Sequence, residues 1–103
     1  MKPIFLNFTD ENGNTTKTFS VCSLKTGLID NVLDMAERGK KMEEGELDLK
    51  EIRAFFKDLK AIIVSVYKGQ FSFDELNENV ETQELMRVLG EICANIGGAI
   101  VKN

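Results

Sequence analysis

Apolar and polar residues alternate at the start of the chain, which is the period of a half-buried β-strand. The alternation runs through "KPIFLNFT" (residues 2–9), where Ile4, Leu6 and Phe8 share one face. Asn12-Gly13 then supplies a strong hairpin-turn signal. Residues 15–21 follow and are rich in β-formers. We therefore predict a β-hairpin within residues 1–22.

Beyond residue 25 the apolar residues recur at steps of three and four, the spacing of amphipathic helices. The predicted helices span residues 26–41, 48–68, 72–78 and 82–97, and Gly97-Gly98 is expected to end the last one. The stripes of the second and last helices supply the predicted core, which comprises Ile52, Phe55, Phe56, Leu59, Ile63, Leu85, Leu89 and Ile92.

The third helix is short but has a well-marked start. Ser72 and Glu75 have the spacing of a capping box, in which each side chain bonds the other residue's backbone amide. Phe71 and Leu76 fall at the two positions of a hydrophobic staple. Together the elements predict an α+β fold, mostly α, with an N-terminal hairpin followed by a small bundle of about four helices. Residues 1–103 are predicted to form a single domain.

Composition argues against several classes of function but does not identify the function. The 103 residues are 43% hydrophobic and 29% charged, with a net charge of −4 and no histidine. The missing histidine removes the usual general base and the usual zinc ligand. The two cysteines, Cys22 and Cys93, are far apart and favour buried free thiols over a disulfide. We predict no catalytic residues, no cofactor, no metal site and no membrane span.

The segment "VSVYKGQFSFDE" (residues 64–75) resembles a calcium-binding loop only superficially. Gly69 and Glu75 fall at the sixth and twelfth positions, as such a loop requires. Val64, Val66 and Lys68 occupy the first, third and fifth positions, where oxygen ligands are needed. We therefore expect that calcium, magnesium and zinc do not bind. The acidic stretch "MEEGELDLKE" (residues 42–51) is interpreted as a solvated connection.

The chain offers more apolar positions than one small bundle can bury. A left-over apolar patch is typical of a partner site, and binding of a helix in a groove is one common use of it. The candidate partner-binding residues are Phe71, Phe73, Leu76, Val80 and Met86.

The second half of the chain carries a series of short motifs in a fixed order. In "AIIVSVYKGQFSFDELNENVETQELMRVLGEICANIGGA" (residues 61–99), a helix ending in Tyr67 precedes "GQFS" and the helix start "DEL". An acidic helix, "ELMRVLGEICANIGG", follows. This arrangement resembles the tail assembly chaperones of long-tailed phages that infect Gram-positive bacteria. It departs from them in the spacer "NENVET", where the family often carries a glycine.

The resemblance implies a non-enzymatic protein of the host-cell cytoplasm that is not part of the mature virion. It implies as partners the tape measure protein, which is kept soluble, and tail tube subunits, which are recruited to it. Self-association into a homo-oligomer is a further alternative. The family also implies a longer form made by ribosomal frameshifting, for which Val101-Lys102-Asn103 permits a slippery codon sequence. A frayed polar tail is the simpler interpretation.

An alternative class of function is a small adaptor or regulatory protein that acts through protein contacts. A basic recognition helix would favour a DNA-binding version of this alternative. Lys and Arg are spread over every segment, and the net charge is negative. We therefore predict no nucleic-acid partner.

Overall fold

The chain folds as a two-stranded hairpin followed by four α-helices. The computed structural model describes the backbone of residues 1–101 and the side chains of residues 1–97. The elements are β1 (Ile4–Thr9), β2 (Thr15–Val21), a 3-10 turn (Thr26–Leu28), α1 (Ile29–Glu43), α2 (Leu49–Val66), α3 (Phe73–Asn79) and α4 (Thr82–Val101). The predicted α+β, mostly helical fold is confirmed. A polar tail is expected after Gly97-Gly98; the backbone is helical through Val101, and residues 102–103 lie outside the described residues.

The hairpin buries one face of β1 and exposes the other, as the alternation predicts. Its strands are antiparallel, with Ile4 opposite Val21 and Leu6 opposite Phe19. The loop is longer than a two-residue turn because the Asp10 carboxylate accepts hydrogen bonds from the backbone amides of Asn12 and Asn14 at 2.9 Å each. Within this loop, Gly13 has a positive φ of 82°.

Two helices begin with complete capping boxes. At α3, the Glu75 amide donates to Ser72 Oγ at 3.1 Å and the Ser72 amide donates to Glu75 Oε1 at 3.0 Å, which confirms the predicted box. At α2, Asp48 and Glu51 make the same pair of bonds at 2.8 and 3.2 Å. Both boxes satisfy amides that the first helical turn leaves without partners.

The chain reverses sharply after α2, where Lys68 and Gly69 have φ values of 57° and 72°. Tyr67 lies just before this reversal and is fully buried. Its hydroxyl donates to the Ile4 carbonyl at 3.0 Å, which ties the end of α2 to the first strand. The reversal places α3 beside α2.

The core lies between the hairpin and the helices. Six of the eight predicted core residues are buried, namely Phe55, Leu59, Ile63, Leu85, Leu89 and Ile92. The prediction is wrong for Ile52 and Phe56, which are only half-buried. Of the two, Phe56 packs against the core. Helix α4 also continues past its expected end, through Gly97 to Val101.

Both cysteines are free thiols, as expected. Cys93 is half-buried, and burial raises the pKa of its thiol. Cys22 is exposed, so the expectation that both thiols are buried is wrong. It lies just after β2, where the chain leaves the sheet.

Candidate partner-binding surface

The structure separates the five candidate partner-binding residues. Phe71 and Leu76 are buried, with 3% and 1% of their surface exposed. The Phe71 ring belongs to an aromatic cluster, with ring centroids 4.9 Å from Phe19 and 5.5 Å from Phe8 and Tyr67. These two residues therefore hold α3 against the hairpin and α2 and present no free surface.

The other three candidates are at least partly accessible but lie in two places. Phe73, at the first position of α3, is exposed, and Val80 is half-buried where α3 ends. Val80 lines a cavity of about 160 Å³ between α2, α3 and α4, together with Phe56 and Lys60. Met86 instead lines a separate groove between α1 and α4. The five residues thus do not form one surface.

A continuous apolar surface does exist along the outer side of α2. We call it the α2–α3 surface and define its apolar part as Leu49, Ile52, Phe56 and Phe73. These residues line an open groove of about 580 Å³ with Arg53, Lys57 and Lys60. Leu49 is 83% exposed and Phe73 is 37% exposed. Such a contiguous patch is typical of a partner site, whereas single exposed leucines are ordinary.

The groove is bordered by a stripe of cations that we call the basic stripe: Lys50, Arg53, Lys57 and Lys60. Their spacing of three, four and three residues places them within about 80° of one another around α2. Lys and Arg occur in every segment of the chain, but within α2 they collect on this one face. A count of charges along the segment does not show the stripe, because Glu51 and Asp58 offset part of it.

Neither acidic residue of α2 neutralises the basic stripe. Glu51 is engaged in the capping box with Asp48, and Asp58 accepts a hydrogen bond at 3.0 Å from Arg38 of α1. Lys60 donates to Asn77 Oδ1 at 2.6 Å, and its ammonium lies 5.6 Å from the Phe73 ring centroid. Among the described residues, none of the four cations forms a salt bridge.

The contact between the hairpin and α4 also contains charged residues, but here they are paired with one another. Arg87 donates to the Phe5 carbonyl at 2.6 Å and forms salt bridges with Glu84 and Glu91 at 2.7 and 2.8 Å. Glu84 also accepts from the Asn7 amide at 2.8 Å. The hydrogen bonds from Arg87 hold the pKa of the Glu84 carboxyl below its usual value. We call Glu84, Arg87, Phe5 and Asn7 the strand clamp, because these contacts cover the outer edge of β1.

The Cys, Asp and Glu side chains of the described residues do not cluster. No group of three or more Cys, Asp or Glu side chains among them is placed to hold a metal ion. Burial raises the pKa of the Tyr67 hydroxyl, which is already hydrogen-bonded to Ile4. A search of the same residues finds no helix with the length and apolar character needed to cross a membrane. The arrangement is suited to binding another chain through an apolar and cationic surface.

Comparisons with known proteins identify the family of the chain. No curated protein and no solved structure matches the chain significantly. The sequence model of the family described as phage tail chaperone protein matches residues 1–102. That range includes the motifs of residues 61–99 as well as the hairpin and the first half of the helical part. The chain therefore belongs to the phage tail chaperone family.

Proposed function

We propose that this protein binds the tape measure protein, keeps it soluble and recruits tail tube subunits to it during tail assembly. It does so without catalysis, in the host cytoplasm, and leaves before the virion is complete. The observation that carries the proposal is the α2–α3 surface, an apolar groove left open on a member of a tail chaperone family. A long helical tape measure chain needs this kind of cover, because exposed apolar segments aggregate.

The proposal assigns tape measure binding to the outer side of α2 and to Phe73. Of the other residues expected from the sequence, Val80 lies at the margin of this surface, and Phe71 and Leu76 support it from the core. Met86 lies in the groove between α1 and α4, away from the proposed site. Apolar burial supplies most of the affinity, so moderate salt weakens the complex without abolishing it.

Co-expression with the tape measure protein of the same phage or prophage tests the proposal. The wild-type chain should raise the soluble fraction of the tape measure protein and co-purify with it. The double variant Leu49→Asp, Phe73→Asp should lose both effects. Both changes place Asp in the first turn of a helix, where a carboxylate is favourable, so the fold is retained.

A matched control is available on the opposite parts of the molecule. Leu33 is 44% exposed, and the variant Leu33→Asp repeats the same chemistry on α1, away from both the α2–α3 surface and the strand clamp. This control should solubilise the tape measure protein as the wild type does. If the wild-type chain leaves the tape measure protein insoluble, the proposed function is wrong. If Leu33→Asp and the double variant Leu49→Asp, Phe73→Asp fail equally while remaining folded, the site is misplaced.

A further inference from the structure

Two parallel stripes run along the outer side of α2. Leu49, Ile52 and Phe56 follow one another at steps of three and four. The basic stripe follows at steps of three, four and three, directly beside them. The apolar stripe keeps to one side of the helix for about two turns, or roughly 10 Å, and the basic stripe for nearly three turns, or roughly 15 Å. A partner that contacts both stripes along their length needs apolar and charged residues of its own that recur at helical spacing.

A helix laid along α2 is the partner that this groove suggests. Phe73 of α3 and the apolar stripe of α2 both line the groove. Helices that pack lengthwise meet at shallow crossing angles and bury residues spaced at i, i+3, i+4 and i+7. The partner's apolar stripe would then cover Leu49, which is otherwise 83% exposed.

The charges restrict which helix can bind. Lys50, Arg53 and Lys57 are exposed and form no salt bridge within the described residues, although the chain as a whole has a charge of −4. Long basic side chains lie along apolar surface and extend their charged groups to its rim. A docked helix therefore presents the residues beside its apolar stripe to these cations, and carboxylates are complementary there.

We propose that the α2–α3 surface selects an acidic amphipathic helix: about three turns, with an apolar stripe bordered on one side by Asp or Glu. The proposal rests on the proposed function, in which that helix is a segment of the tape measure protein. Apolar contact supplies affinity, and the basic stripe supplies selectivity among apolar helices. Nucleic acid is the less suitable occupant, because a phosphate backbone has no apolar stripe to cover Leu49, Ile52 and Phe56.

Three synthetic helical peptides with the same leucine stripe test the selectivity. They differ only beside the stripe, where they carry Glu, Gln or Lys. The full-length protein should bind the Glu peptide most tightly and the Lys peptide most weakly, with about a tenfold difference in Kd for three exposed ion pairs. The difference should shrink as salt is added, since exposed pairs are screened. Calorimetric titration measures each Kd.

Reversing the charge of the basic stripe gives a stricter test with the same peptides. The triple variant Lys50→Glu, Arg53→Glu, Lys57→Glu should invert the order, so that the Lys peptide binds most tightly. The control Lys2→Glu, Lys17→Glu, Lys25→Glu changes net charge by the same amount at exposed positions outside the groove. It should keep the wild-type order. Circular dichroism and thermal melting establish that both variants are folded.

Several results would overturn the inference. Equal affinity of the wild type for all three peptides, or an unchanged order in the triple variant, removes the role of the basic stripe. Tighter binding of a single-stranded oligonucleotide, lost on charge reversal, assigns the stripe to nucleic acid. Self-association through the side of α1 that carries Asp30, Asp34 and Glu37 around Leu33, abolished by Leu33→Asp, assigns the basic stripe to a second copy of the chain.

The results that would contradict the proposed function differ from those that would contradict the selectivity. If the triple variant binds the tape measure protein as tightly as the wild type while Leu49→Asp, Phe73→Asp does not bind it, the selectivity is wrong and the function stands. If the wild-type chain discriminates among the peptides but leaves the tape measure protein insoluble, the surface is correctly described and its partner is another protein.

Discussion

The strand clamp and the α2–α3 surface are built from similar residues, yet only the first is complete within the chain. In the strand clamp, the Arg87 guanidinium has three partners, and Glu84 joins it to the Asn7 amide. On the α2–α3 surface, Arg53 and Lys57 form no salt bridge with any described residue, and Leu49 projects into solvent. Both regions combine charge with apolar surface, so composition does not distinguish them.

The difference separates residues that hold the fold from residues available to a partner. A charged side chain with several hydrogen bonds fixes two elements in place, as Arg87 does for β1 and α4. An exposed cation beside an uncovered apolar stripe contributes little to stability, since it has nothing to bind. Substitutions should therefore reduce stability at the strand clamp and reduce binding at the α2–α3 surface.

The largest contrast is expected between two leucines of the same helix. Leu59 is fully buried, and Leu59→Ala should lower the free energy of unfolding by about 2–5 kcal/mol through lost transfer energy and the cavity left behind. Leu49→Ala, ten positions earlier in α2, should lower it by less than about 0.5 kcal/mol. Urea denaturation of the two variants measures both. A similar cost at both positions would show that the outer side of α2 is also part of the core.

The next contrast compares two arginines. Arg87→Gln removes the donor to the Phe5 carbonyl and the salt bridges to Glu84 and Glu91, at a cost of about 1–2 kcal/mol. Arg53→Gln should change stability by less than about 0.5 kcal/mol. Chemical denaturation at neutral pH tests the pair. If Arg87→Gln is as mild as Arg53→Gln, the strand clamp does not stabilise the fold.

The strand clamp should also weaken in acid. The pKa of Glu84 is lower in the folded protein than in the unfolded chain, so its contribution is complete above the unfolded value near 4.5. It is lost as pH falls through the folded value. Glu84→Gln should therefore cost about 1 kcal/mol at pH 7 and progressively less below pH 4.5. A constant difference from wild type between pH 7 and pH 3 would contradict this linkage.

A smaller effect is expected at the start of α3, which positions Phe73 on the α2–α3 surface. Ser72→Ala removes the acceptor for the Glu75 amide and should cost about 1 kcal/mol. Hydrogen exchange should accelerate in α3 more than in α4, because only α3 loses its cap. Unchanged thermal stability would show that the capping box contributes nothing.

Local patterns were enough to predict most of the fold. The alternation of Ile4, Leu6 and Phe8 predicts the buried face of the hairpin, and the Ser72–Glu75 spacing predicts the start of α3. Asp48 and Glu51 have equivalent spacing, so the cap of α2 could have been recognised in the same way. Helix α4 passes through Gly97, since a glycine inside a helix costs only about 1 kcal/mol and does not by itself end the helix.

The candidate site was harder to predict, because helical spacing does not show which edge of a stripe is covered. Ile52 and Phe56 have the same periodicity as Phe55 and Leu59, and only the positions of the neighbouring helices leave the first two at the surface. The strand clamp joins residues about 80 positions apart, which no local pattern indicates. The basic stripe could have been predicted from the sequence by placing the charged residues of α2 around the helix axis. A count of charges along the segment does not show it.

The most direct test is a footprint of the complex. Hydroxyl-radical labelling of the protein, alone and bound to the tape measure protein, reports which exposed apolar side chains become covered. Leu49 and Phe73 should lose reactivity on binding, while Leu33 and Phe5 should keep it, although all four are exposed in the free chain. Protection of Leu33, Phe5 or Met86 with unchanged labelling of Leu49 and Phe73 would contradict the assignment of the α2–α3 surface.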